Sequence, residues 1–170
     1  SYSPCKGFTT AVLYWPVGGA RYRLNGQRRF AQHLAFVQQH GLAEVVALAR
    51  SGTKGFGEDP GGGPWVAVLR RDEAFAAAYV AQDVERYKVV VAGMARGLMD
   101  RDTAPGAEPE AMMQVDLPAL IVPGQDAAHA TSAARYLQEC LPRSTYWDVA
   151  PDAQTAETVP PRLLDFLRSC

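Results

Sequence analysis

The chain has 170 residues, the size of one domain with a real hydrophobic core. Hydrophobic residues make up 48%, charged residues 21%, and the formal net charge is −1, so neither a basic surface for nucleic acid nor an acidic tail for a basic partner is present. No apolar run reaches membrane-spanning length and no signal peptide is visible; the three scattered cysteines, Cys5, Cys140 and Cys170, have no metal-ligand spacing and suit a reducing cytoplasm.

Residues 1–10 are polar and broken by Pro4 and Gly7. Ala11-Val12-Leu13-Tyr14-Trp15 reads as a first strand stopped by Pro16, and Val17-Gly18-Gly19-Ala20 leads away from it as a loop. A helix is predicted over 25–39, with Phe30, Leu34 and Val37 on one stripe and Arg28, Gln32 and Gln39 outside it. Gly41 ends it, and 42–49 continue as a shorter helix. His33 and His40 read as exposed helical histidines, because three histidines so far apart make no zinc motif.

Residues 51–64, SGTKGFGEDPGGGP, form a loop. Its Gly52-Thr53-Lys54-Gly55 lacks the Gly-Lys-Ser/Thr order and the preceding strand that a phosphate-binding loop requires. Two helical stretches follow, 65–81 and 84–99, with Val68, Phe75 and Tyr79, then Tyr87, Val90, Val91, Met94 and Leu98, expected to face inward. So many helices between two strands exceed a simple crossover and predict an inserted all-α cap. Phe30, Phe36, Trp65, Phe75, Tyr79, Met94 and Met113 would give that cap an apolar lining. The expected organisation is therefore 1–20 as first strand and mouth loop, 21–114 as cap, and 115–170 as the carboxyl-terminal α/β part of the same domain. The fold class is α/β, with a partial parallel sheet of about three strands.

The segment 117–141, LPALIVPGQDAAHATSAARYLQECL, organises the rest. Its apolar run 118–122 reads as a strand covered on both faces. Pro123-Gly124 stops it, Gly124 being free to take a backbone conformation closed to other residues. Asp126 then stands just past the strand's carboxyl end, where open parallel sheets collect ligands and catalytic groups. Thr131 or Ser132 is expected to cap the next helix, which would bury Ala133, Tyr136, Leu137 and Leu141. Residues 144–149 read as a further strand, and 161–167 as a last helix with Leu163, Leu164, Phe166 and Leu167 inward.

Gly124-Gln125-Asp126-Ala127-Ala128-His129, followed by a helix and Leu141-Pro142, resembles the α/β-hydrolase segment that carries the acid of the catalytic triad. The resemblance implies that Asp126 is that acid and that Gly18 and Gly19, after an apolar–Pro–x–Gly-Gly stretch, lie at the mouth of an active site. Trp15 and Gly124 join them as implied substrate-binding residues. The implied substrate is a small apolar carbonyl compound, an ester or lactone, hydrolysed without a cofactor.

The rest of the triad is not legible. A serine hydroxyl needs an imidazole to take its proton, and the acid to hold that imidazole. The family histidine belongs within 150–157, where the sequence is APDAQTAE. His129, three residues from Asp126, is the one substitute, with a local structural role at the helix start as its competing reading. Ser1 and Ser3 are nucleophile candidates only as the remnant of an elbow, because 5–10 offer about half of what a helix and its turn require. The expectation is an incomplete triad, in a fragment or a degenerate relative, with self-association or a complementing N-terminal half. The alternative is a non-catalytic module that uses the cap cavity to bind a small molecule or a protein.

Overall fold

A computed structural model describes residues 9–169. Strand β2, Ala119–Val122, has all four residues buried, which is why its sequence is apolar throughout instead of alternating. β1, Ala11–Tyr14, and β3, Ser144–Tyr146, pair with it in parallel, in the order β1-β2-β3. Ala11 stands opposite Ala119, and Ala119 opposite Ser144. The fold is thus α/β with a three-stranded parallel sheet. β1 is an edge strand, and among the described residues no strand pairs with its outer side. Its alternate residues Val12 and Tyr14 are 36% and 44% exposed.

The chain divides into two compact units: Ser1–Arg23 with Arg101–Cys170, and Leu24–Asp100. Residues 21–23 and 101–114, drawn with the cap from sequence, pack with the sheet unit, including the short helix α5, Pro109–Met112.

In the sheet unit, Leu120 and Val122 pack against Phe166, with Trp147, Val149 and Leu163 around them. β3 is shorter than expected: the Trp147 N–H donates to the Ile121 carbonyl at 2.9 Å and the ladder ends there, short of Val149. Helix α6, Thr131–Cys140, buries Ala133, Ala134 and Cys140, leaving Tyr136, Leu137 and Leu141 half-buried. Neither Thr131 nor Ser132 caps it. The N-cap is Ala130, and the Thr131 hydroxyl instead donates to the Gly124 carbonyl at 3.2 Å, tying the helix start to the end of β2. The last helix, α7, Val159–Ser169, buries Phe166 and partly Leu163, one turn apart on one stripe. Leu164 and Leu167, expected inward, sit on the neighbouring stripe at 50% and 49% exposure.

The helical unit is built from α1, Ala20–Ser51, from Leu24 onward, and the helices α2, Val66–Arg71, α3, Glu73–Val80, and α4, Val84–Leu98. α1 starts at Ala20, ahead of the apolar stripe that marked residue 25, and is broken at Gly41, whose φ of 76° and ψ of 175° leave the helical region. The stretch 65–81, expected as one helix, is two. Asp72 leaves the helical conformation and accepts the Phe75 N–H on its carboxylate at 2.9 Å, ending α2 and capping α3. Asp83 caps α4 likewise through the Arg86 N–H at 2.8 Å.

In this unit Val90, Leu98 and His33 depart from their expected faces. Val90 is 61% exposed and Leu98 40% exposed, while Tyr87 and Val91 form the inward face of α4. His33, expected outside, is fully buried. It lies one turn from Phe30 and Val37 on the buried stripe and finds hydrogen-bond partners there. His40 is exposed, and its ring lies against Phe36. Among the described residues no helix is long and apolar enough to cross a membrane, and no group of His, Cys, Asp and Glu is placed to hold a metal.

Candidate functional site

The loops that leave the carboxyl ends of β1 and β2 meet in the sheet unit, and glycines permit it. A Cβ on Gly124 would stand 2.6 Å from the His129 Cβ and 3.0 Å from the His129 carbonyl oxygen. Gly124 is needed there for space; a left-handed backbone, the reason expected from sequence, is not adopted. Gly18 is needed for both reasons, with φ of 149° and a Cβ position 2.3 Å from the Thr103 carbonyl oxygen.

The Gly18 N–H donates to the Ala128 carbonyl at 2.9 Å, the Gly18 carbonyl accepts from the Ala130 N–H at 3.3 Å, and the Gly19 N–H donates to the Thr103 carbonyl at 3.1 Å. Gly18 and Gly19 therefore latch the two loops together. With both N–H groups spent, neither is free to donate to a developing oxyanion.

Asp126 stands three residues before His129 on the latched loop, and its Oδ1 accepts the N–H groups of Ala128 at 2.7 Å and His129 at 2.8 Å. The His129 Nδ1 reaches both carboxylate oxygens at 2.8 Å. The bond from the imidazole, followed by the Ala128 N–H, holds the Asp126 carboxyl below its ordinary value, so it is ionised and can only accept. Nδ1 therefore carries a proton, and in the neutral ring Nε2 keeps its lone pair. The histidine side chain is 27% exposed and the aspartate 51%.

Trp15 forms the other wall. Its backbone sits at φ 49°, a left-handed conformation that a bulky residue adopts only under constraint. The constraint is visible at both ends of the residue. Its N–H donates to the Val122 carbonyl at 2.9 Å, and its indole Nε1–H donates to Gln154 Oε1 at 2.6 Å. Its ring lies 5.7 Å from the His129 ring and stacks beside Tyr14. Gln154 completes its own bonding by donating Nε2–H to the carbonyls of Pro123 at 2.8 Å and Val149 at 3.2 Å. A pocket of about 430 Å³ opens here, lined by Trp15, Gln125, Asp126, Ala150, Pro151 and Asp152.

The structure thus brings Trp15, Gly18, Gly19, Gly124, Asp126 and His129 to one end of the sheet. Ser1 and Ser3 lie outside the described residues, as do Cys5 and Cys170. Among the described residues no hydroxyl or thiol is bonded to His129. Sequence reading overlooked the roles of Gln154 and of the strained Trp15; the signal for Gln154 was its place within 150–157, where the resemblance locates a histidine. No protein-family model, curated protein or solved structure matches this chain.

Proposed function

We propose that this is an α/β-hydrolase-like chain of ester- or lactone-hydrolase descent, and that the Asp126–His129 pair is its chemistry-bearing group. The observation that carries the proposal is the polarity of the pair: the carboxylate holds Nδ1 from both oxygens, leaving Nε2 as the nitrogen able to take a proton. That is how a triad acid orients its base. Its place at the carboxyl end of a parallel strand, beside a strained indole and a pocket of about 430 Å³, supports the same reading, with a small apolar carbonyl compound as the proposed substrate. That no strand pairs with the outer side of β1 among the described residues supports pairing with a further strand, from a second copy or from a complementing N-terminal half.

A base without a positioned nucleophile is half a site. The chain by itself is expected to hydrolyse short p-nitrophenyl esters slowly, with water or an N-terminal serine as the attacking group. General-base action contributes roughly 10²–10⁴-fold, so His129→Ala and Asp126→Ala should each reduce the residual rate by about that factor. A rate unchanged by His129→Ala removes the base assignment. A fast rate abolished by a serine-directed phosphonate would identify a nucleophile and bring Ser1 and Ser3 forward.

A second reading, binding without turnover, is favoured by Gln154. Its amide is satisfied three times within the segment where a hydrolase places its imidazole, and an amide is no base.

A further inference from the structure

The helical unit contains a second, chemically different pocket. Trp65, Phe75, Tyr79, Gln82, Tyr87, Val90 and Val91 line a half-open pocket of about 250 Å³ between the start of α2, α3 and α4, and no charged side chain lines it. Four of these residues are aromatic and packed as a set. The Tyr79 and Tyr87 rings meet edge to face at 5.2 Å, Trp65 lies 6.3 Å and 6.1 Å from them, and Phe75 is 6.4 Å from Tyr79.

Two of the walls are held by a buried polar chain. The His33 Nδ1 is 3.1 Å from the Gly61 carbonyl, which can only accept, so Nδ1 carries the proton and Nε2 is an acceptor. The Tyr87 hydroxyl, 2.7 Å away, donates to Nε2, and the Tyr79 hydroxyl donates to Tyr87 at 2.6 Å. Both phenol protons are thus directed into the protein. Neither side chain can swing out of the wall without breaking a buried bond, so the pocket is preorganised and binding would cost little ordering entropy.

We infer that this pocket binds a small uncharged planar aromatic molecule of one or two rings, at a site separate from Asp126 and His129. Volume sets the size: a cavity of roughly 150 Å³ with apolar walls already takes benzene. The walls set the chemistry, because aromatic faces at these separations favour offset or edge-to-face contact with a further ring. The uncharged lining sets the charge, since an ionic group would lose its hydration against walls that offer no counter-ion.

The test uses the full chain and indole as the probe, followed by the Trp65 indole N–H and the Val90 and Val91 methyl resonances. Indole should shift these signals saturably and leave Trp15 and His129 unmoved. Val90 is 61% exposed at the rim, so Val90→Trp should fold normally and fill the opening, weakening indole binding by roughly tenfold or more. Val89→Trp, one residue along on the same helix and 69% exposed, lies outside the lining and should bind as the parent does. Indole-2-carboxylate should bind more weakly than indole. Shifts that do not saturate, equal binding in Val90→Trp and the parent, or a preference for the carboxylate would each overturn the inference.

Discussion

Replacing Tyr87 by Phe tests the directed chain of hydrogen bonds in the helical unit more sharply than any change of volume, because the ring stays and one oxygen goes. In the structure that oxygen has two duties: it accepts from Tyr79 and donates to His33. Tyr87, Tyr79 and His33 are 4%, 2% and 0% exposed, so water cannot readily take over either duty. Two buried groups are then left without a partner, each costing about 1–3 kcal/mol, for a total of about 2–6 kcal/mol. Tyr79→Phe deletes only the outer donor, leaves the Tyr87–His33 bond intact and should cost about 1 kcal/mol. The double variant should be no less stable than Tyr87→Phe, because the second change removes a hydroxyl the first has orphaned. Equilibrium urea unfolding at pH 7.5, followed by the Trp65 indole resonance, measures all three. Equal losses in the two single variants, or strict additivity in the double, would refute the assigned direction of the protons.

The same chain makes the helical unit sensitive to acid. Burial holds the His33 pKa below 6.5, against the raising effect of its backbone bonds, so the unfolded state takes up the proton first. Stability from this group is complete above about pH 6.5 and falls as pH drops from there towards the folded value, with the urea midpoint in Tyr87→Phe less steeply dependent on pH over that window. In the sheet unit, Gly124→Ala places a methyl 2.6 Å from the His129 Cβ. It should cost about 1–3 kcal/mol in thermal unfolding and displace the His129 ring from Asp126 in the NMR spectrum. An alanine variant with unchanged stability and His129 shifts would show that the close approach of the two loops is not what requires glycine.

Sequence alone carried the architecture of the sheet unit, for a local reason. Ala119-Leu120-Ile121-Val122 is apolar at every position and bounded by prolines, which already implies a strand buried on both faces, and the glycine and aspartate beyond it mark the end where loops gather. The cap residue of α3 was equally local. Asp72 before Glu73 is a helix-start signal that a single periodic run across 65–81 concealed. Which leucine of α7 faces inward was not local: Leu163 and Leu164 are equally apolar, and the Leu120–Val122 surface chooses the stripe shared with Phe166. His33 was misread for the same reason. A histidine is tolerated in a core only where both ring nitrogens find partners, and those partners, Gly61 and Tyr87, lie 28 and 54 residues away. The site divides along this line too. Asp126 and His129 are three residues apart and legible as a pair, whereas the strain at Trp15 and its bond to Gln154 across 139 residues exist only once the three strands have brought their ends together.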